Sequence, residues 1–373
     1  MGSSPVLLRG MVCLMAAAVL PFTVLGQTSR RIAPVPGDPL ELVTGPIRVA
    51  GTTAQREAAV QLLGRARSRF VLRNAGVAYS LKVSFAVDSR GETNYDGAWE
   101  MEDQFSPADG LRWTAKTVAG YVTTRLSKTG PVYGEEGTAD AIPLRLHEVR
   151  GLINDPLPSP AYARRGSIRT STATFHGVTL TCLLLSPART SVNPASGRGW
   201  EENEECIDPQ SGLIQVHSEA PGRYVVYDYS NAPQLGDCLL PRTVTVTEAG
   251  RTVLRISVDS LTETASFDRK LFDPTESMKM GEQTKAIAPA TKMTRVHGQS
   301  ANSSRGAIHT VCIFGVVTPS GQLVEAHSLQ PSDPHSVAAL DDAKTIDFSP
   351  SISAGAPPQQ HFVFVIEEFV SPR

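Results

Sequence analysis

The sequence predicts a mainly β protein with α+β elements: an antiparallel sheet with covering helices, followed by a small β-β-α-β domain. Three observations predict it. Alternating apolar and polar residues recur at strand spacing, as at Tyr79, Leu81, Val83, Phe85 and Val87. Gly and Pro are plentiful, 30 and 27 of 373 residues, and aromatics make up only 6%, a composition suited to many short elements joined by turns. Helical spacing shows only at about 53–72, at 143–154 and after Asp333.

The first 26 residues stand apart from this pattern. Arg9 precedes an apolar run from Met11 to Leu25, broken by Pro21, and Val24 and Gly26 form a small or apolar exit before Gln27. Charge, apolar core and small-residue exit make a signal peptide over 1–26, with cleavage near Gly26. The run is shorter than the roughly 20 apolar residues that span a bilayer; the other reading is an uncleaved anchor. Cys13 suggests lipid attachment, but Gly10, Met11 and Val12 fit the small-residue tripeptide poorly and Cys13 lies inside the apolar run. The expected location is periplasmic or secreted, with no stable transmembrane segment after cleavage.

The 35 basic and 37 acidic residues, with a pI near 6.5, leave no electrostatic footprint for nucleic acid. No long Lys/Arg block marks a membrane-surface patch. Without Cys13, the remaining cysteines are Cys182, Cys206, Cys238 and Cys312, which allow three connectivities in an oxidising compartment. Cys182 with Cys206 is the preferred pair, since each belongs to strand-like sequence within one hairpin. Cys312 sits in an apolar strand and is expected reduced and buried.

Residues 27–50 contain Pro34, Pro36, Pro39 and Pro46 and read as an extended, Pro-rich leader. The large domain then covers 51–273. Thr52 and Gln55 fit a capping box, and Ala59, Leu62, Leu63, Ala66 and Phe70 give the following helix an apolar stripe. After the Tyr79 strand come runs at Trp99 and Met101, at Leu111 and Trp113, and at Tyr121–Leu126. A short helix spans Pro143–Asn154, stopped by Asp155-Pro156. Past a Ser-, Arg- and Pro-rich loop, strand pattern resumes at Phe175, Val178, Leu180, Cys182 and Leu184. Ser186–Glu205 reads as a polar surface loop. Strands at Leu213–His217, Tyr224–Tyr229, Thr243–Thr247 and Thr252–Leu261 follow, and their short turns imply antiparallel pairing. Residues 274–306 fill with Lys, Thr, Gln, Ser and Gly and read as a linker. The second domain, 307–370, carries two strands, a helix capped by Asp333 with Pro334, and a final strand His361–Phe369.

This second domain resembles the C-terminal domain of TonB-type energy transducers over roughly 306–370. The resemblance rests on the apolar first strand, the Ser320-Gly321 turn, the Ala338-Ala339-Leu340 helix start, Phe348-Ser349-Pro350 and the terminal apolar strand. Ile346 stands where that family usually has Trp. The long Pro-rich spacer and permanent anchor of the transducers are absent, so the resemblance implies a fold and a kind of partner rather than energy transduction. Residues 51–273 resemble the LolA-type periplasmic carriers, in which a helix and a strongly curved, half-barrel sheet enclose an apolar cavity. The features are the helix-then-strand opening, the Cys206-Ile207-Asp208-Pro209 to Gly212 turn, Leu240-Pro241-Arg242 and Leu271-Phe272-Asp273.

Catalytic and metal signals are few. The His residues are scattered, and H-E-x-x-H, C-x-x-C, G-x-S-x-G, P-loop and G-x-G-x-x-G spacings are missing, so neither an enzyme nor a cofactor is expected. Glu201, Glu202, Glu204 and Glu205 read as a solvated loop face rather than an acid–base pair. His217 and His327 read as strand-end histidines. Phe85, Trp99 and Trp113 either fill a core or line an apolar pocket. In the last strand, Phe362, Phe364 and Ile366 face one way and His361, Val363 and Val365 the other. At a sheet edge this strand would accept an envelope or outer-membrane protein by strand addition, as the TonB resemblance implies. An inner strand, or an edge sealed in a dimer, is the other reading. The expectation is therefore a non-enzymatic envelope binding protein. The alternatives are a soluble carrier of lipid, acyl chain or lipoprotein, and a secreted hydrolase with its site in the large domain.

Overall fold

In a computed structural model, the described residues are 43–89, 95–118, 120–127, 132–136, 143–187, 198–281, 291–297, 308–348 and 360–370. The expected signal peptide, 1–26, and most of the expected leader lie outside them. All described residues belong to one compact unit.

The leader's end does not stay free: β1 (Val43–Thr44) and β2 (Arg48–Val49) pair with β8 (Ser167–Phe175). Helix α1 (Thr53–Phe70) starts where the capping box places it, with Thr52 Oγ1 accepting from Gln55 N and Gln55 Oε1 accepting from Thr52 N. An antiparallel meander follows: β3 (Tyr79–Val87), β4 (Gly97–Ser106), β5 (Gly110–Thr117), β6 (Val122–Ser127) and β7 (Val132–Glu136). Then come α2 (Leu144–Asn154) and α3 (Pro160–Arg165), the latter capped by Ser159.

The Ser- and Arg-rich stretch expected as loop becomes β8, because Thr170, Thr172 and Thr174 alternate with buried Arg169, Ser171 and Ala173. A tight turn at His176-Gly177, both at positive φ, leads to β9 (Val178–Ser186). A second meander continues through β10 (Asn203–Ile207), β11 (Ile214–Ala220), β12 (Arg223–Asp228), β15 (Thr243–Glu248) and β16 (Arg251–Glu263). A small hairpin, β13 (Gln234–Leu235) with β14 (Cys238–Leu239), interrupts it. β16 lies antiparallel beside β3 and welds the two meanders into one open sheet of fifteen described strands.

One face of this sheet is covered by α1 and α2, whose Leu63, Phe70, Leu146 and Ile153 join Leu81, Tyr227, Val244 and Ile256 in the main core. The other face of β8–β12 carries a smaller cluster of Phe175, Leu180, Val216 and Tyr224 around the Cys182–Cys206 disulfide. The two cysteines are register partners on β9 and β10, with Cα atoms 3.9 Å apart. Cys238 and Cys312 are free and buried.

The expected linker 274–306 is partly structured. Lys279–Gly281 (β17) pairs with β7, and Thr291–His297 (β18) lies parallel to β21 (His361–Val370). Residues 282–290 and 298–307 lie outside the described residues. The second sheet runs β18-β21-β19-β20, with β19 at Ile308–Val317 and β20 at Leu323–Ser328. Helix α4 (Ser336–Ala343) starts two residues later than expected, with Asp333 Oδ1 accepting from His335 N before it. Its Ala339 and Ala343 pack on Val311, Ile313, Val363 and Val365, whereas Val337 is 72% exposed.

The last strand is therefore not an edge. β21 bonds to β18 on one side and β19 on the other, and both its faces are covered. His361, Phe362, Val363, Phe364, Val365 and Ile366 thus offer no free ladder to an incoming peptide, which overturns the edge-strand expectation. The physical reason is a partner from outside 307–370: Thr291–His297, within the expected linker, adds in parallel on the side of β21 that β19 leaves open.

Nor is the second domain tethered. Phe314, Phe362, Phe364, Cys312 and Ile366 pack on Leu144 of α2 and Ala220 of β11. Gly222 sits at φ +90° in the β11–β12 turn, where a Cβ would lie 2.8 Å from Leu329 Cβ. Beside this contact lies a buried ion cluster. Arg145 reaches Glu148 at 2.9 Å, Glu248 at 3.1 Å and Glu325 at 3.6 Å. Arg223 reaches Glu248 at 3.1 Å and also pairs with Glu148 and Glu219. His327 Nε2 lies 3.3 Å from Glu248 Oε2. The rings of Phe314 and Phe362 face both guanidinium groups at 4.9–5.9 Å. Burial opposes ionisation of Glu248, but Arg145, His327 and Arg223 outweigh it and hold the carboxyl well below the usual range.

Two predictions follow from these cross-links. Replacing Cys182 and Cys206 by Ser should lower the unfolding free energy by about 2–4 kcal/mol, read from urea denaturation under oxidising conditions. Because folding depresses the Glu248 pKa, its stabilisation is complete above the unfolded carboxylate value near ~4.3 and is lost as pH falls toward the folded value. Glu248→Gln should cost about 3–5 kcal/mol at pH 7, and the gap between variant and parent in urea midpoint should narrow by pH 3.

Candidate functional site

Helix α1 carries Gln55, Ala58, Ala59, Leu62 and Arg65 on one flank, at spacings of three, one, three and three residues. The alanines leave space where bulkier residues farther along the helix, Leu63 and Phe70, pack on the sheet. The result is a cavity of about 620 Å³ between α1 and strands β8 and β9. Leu183 forms its floor, flanked by Thr170, Thr172 and Thr181. Pro46, Arg48, Val49 and Ala50 form one rim, and Pro209 the other.

Both rims are held by specific contacts. Gly45 N donates to Thr172 O at 2.6 Å and Ala50 N to Ile168 O at 3.1 Å. A Cβ on Gly45 would fall 2.8 Å from Thr172 Oγ1, so glycine allows this close approach. Asp208 accepts from Gln210 N at 2.9 Å and from Ser211 Oγ, and Gly212 closes the turn at φ +73°.

Val49 is 52% exposed at the mouth, whereas Leu62 and Leu183 are buried behind it. Thr170, Thr172 and Thr181 share the Leu183 face of the sheet, so theirs are the hydroxyls that a polar group entering the cavity would meet. Arg48 and Arg65 place positive charge at the lining. Among the described residues, the lining holds no His, Asp, Glu or Cys. Its chemistry is that of an apolar slot with a cationic rim, fitted to an amphiphile with a polar or anionic end. A smaller cavity of about 290 Å³ lies by Arg67, Ser68, Val71 and Pro160.

The residues singled out in sequence fall elsewhere. Phe85, Trp99 and Trp113 belong to the main core. Phe85 stacks on Trp99 at 5.4 Å, and Arg150 covers the Trp113 ring at 4.0 Å. The acidic stretch is not a solvated face: Glu202, Glu204 and Glu205 are buried on or beside β10. Arg169 forks onto both Glu202 oxygens at 2.7 and 2.6 Å, and Arg198 reaches Glu204 at 3.0 Å. His217 lies within β11, buried, with Nδ1 2.9 Å from Glu205 Oε2. The neighbouring Ser218 hydroxyl donates to Ala220 O and Arg223 O instead. That arrangement gives His217 an ion-pair partner and no nucleophile.

No family model matches the sequence, and no curated protein matches it. Solved structures with a similar course include a putative outer membrane lipoprotein-sorting protein domain from Vibrio parahaemolyticus, at 9% identity and TM-score 0.35, covering 58% of this chain and 95% of that one. A Pseudomonas aeruginosa MucA/MucB complex matches at 13% identity and TM-score 0.28, over 71% of this chain and 82% of that one. A LolA superfamily protein from Nitrosomonas europaea matches at 11% identity and TM-score 0.28, over 57% and 96%. At such scores the likeness assigns neither a family nor a function.

The Glu205–His217 pair has a pH signature. Burial lowers the His217 pKa, but the Glu205 charge and hydrogen bond outweigh it and the net shift is upward. Its contribution is therefore complete below the unfolded histidine value near ~6.5 and is lost as pH rises through the folded value. The stability difference between parent and Glu205→Gln, measured by urea unfolding, should be larger at pH 6 than at pH 9.

Proposed function

We propose that this chain is an exported, non-enzymatic binding protein of the cell envelope that holds the apolar chain of a lipid or lipoprotein between α1 and β8–β9. The observation that carries the reading is the cavity itself: alanine-lined on the helix side, floored by Leu183, with threonine hydroxyls beside it and two arginines at its lining. Export rests on the N-terminal signal pattern and agrees with a disulfide between Cys182 and Cys206. Among the described residues, no helix is long and apolar enough to cross a membrane.

In this reading the β-β-α-β domain is a brace for the large sheet. Recruitment of an envelope protein by strand addition would fall to the outer strands β18 and β20 rather than to β21.

The test is native mass spectrometry of the exported protein purified without detergent, with a fluorescent fatty acid as a second probe. The parent should carry a lipid adduct or bind the probe. Ala58→Trp, which fills the slot from an exposed helix position, should reduce occupancy about tenfold or more while leaving the thermal midpoint unchanged. Replacing Arg48 and Arg65 together by Ala should weaken anionic ligands and spare neutral ones. Equal occupancy in Ala58→Trp, or a parent that takes neither lipid nor probe, would remove this function.

A further inference from the structure

Away from the groove, three side chains from three elements converge on the second sheet. His297 is the last residue of β18, Glu367 belongs to β21, and Asp342 lies in the last turn of α4. One donor atom from each lies within 4.8 Å of the others. His297 Nε2 is 3.5 Å from Asp342 Oδ2 and touches Glu367 Oε2. We propose that His297, Asp342 and Glu367 form a site for a divalent transition-metal cation, with zinc as the best fit, which fastens β18 to β21 and α4.

The donor chemistry supports this choice. One imidazole nitrogen and two carboxylate oxygens suit zinc, with a water in the fourth position, better than the all-oxygen preference of calcium or magnesium. Metal–ligand bonds of about 2.0–2.2 Å place neighbouring tetrahedral donors roughly 3.3–3.5 Å apart. The His297–Asp342 spacing has that value already, and the His297–Glu367 contact has only to open. The imidazole is fixed for the role, since its ring stacks on Phe369 at 4.9 Å and 18°.

A second observation points to a ligand. Glu367 is fully buried, and its Oε1 accepts no hydrogen bond; Arg295 Nη1 is 4.0 Å away. Asp342 Oδ2 is paired with Arg295 Nη1 at 2.6 Å, which leaves Glu367 Oε1 as the buried oxygen without a hydrogen bond. A buried carboxylate left this way costs stability unless a cation completes it. The charge balance leaves room for one. Two carboxylates against Arg295 sum to one negative charge, and with the imidazole neutral, as a metal ligand must be, a dication would leave the site at plus one.

Geometrically the cation would anchor the outermost strand. Besides its backbone ladder to β21, β18 has one deep anchor, Lys292, whose Nζ donates to Asn203 Oδ1 at 2.9 Å and Glu201 O at 3.3 Å. Lys292 lies near the start of the strand and the proposed site at its end.

The proposal is independent of the groove reading and is tested on the full exported chain, stripped with chelator and titrated with zinc against a chromophoric competitor. The parent should take up a single tightly held zinc and gain thermal stability with it. His297→Gln and Asp342→Asn should each bind at least about tenfold more weakly and lose the zinc-dependent thermal shift. Near-ultraviolet circular dichroism establishes that each variant is folded, and either one alone decides the question. A parent without zinc uptake would show that His297 simply bridges two carboxylates as a protonated base. Uptake undiminished in a folded variant would assign the metal to other histidines or to Cys238 and Cys312. Either result overturns the proposal.

Discussion

The packing of the whole molecule hinges on a desolvated ion cluster in which Arg145 and Arg223 share Glu148 and Glu248, with Glu219, Glu325 and His327 around them. Charges taken out of water are costly one by one and tolerable only together, so this cluster ties together the elements that supply its members. Here those elements are α2, β11, β12 and β15 of the large sheet and β20 of the small one. Phe314 and Phe362 close over the guanidinium groups from the small sheet, so the ring faces supply part of the solvation that water has given up. A flexible tether between the two sheets is incompatible with this contact, because separation would expose Phe314 and Phe362 and strand the arginines among unequal partners.

The groove arises from a complementary choice at the other end of the helical layer. α1 presses Leu63, Ala66 and Phe70 into the core, while its first turns offer alanine. The same helix therefore both seals the sheet and stands off from it. The leader's short strands β1 and β2 extend the wall on the β8 side, which makes the segment just after the Pro-rich stretch part of the cavity rather than a lead-in to it.

Much of the fold was legible wherever one periodicity acted alone. α1 with its capping box, the β3 alternation, the Leu144–Asn154 helix and the β19-β20-α4-β21 order all follow from local pattern. Pattern failed where a distant partner decides burial. Glu202, Glu204 and Glu205 read as solvated because Arg169, Arg198 and His217 come from other elements, and strands β8 and β18 were hidden by their Thr, Arg and Lys content. β21 is interior only because β18, from the polar stretch before the second domain, pairs along its open side. The cavity was the least legible part, since its signal is the smallness of Ala58 and Ala59, and small residues on a helix carry no label for empty space.

The weld between β16 and β3 has a consequence for the order of assembly. Tyr79–Val87 finds its second neighbour only in Arg251–Glu263, so the first meander keeps one ladder unsatisfied until the ribosome has produced some 170 further residues, a gap read directly from that register. Contacts of such range make for slow folding. On the proposed export route that delay would be an advantage: the polypeptide would stay loose while it is being made, and tighten once its later half had arrived on the far side.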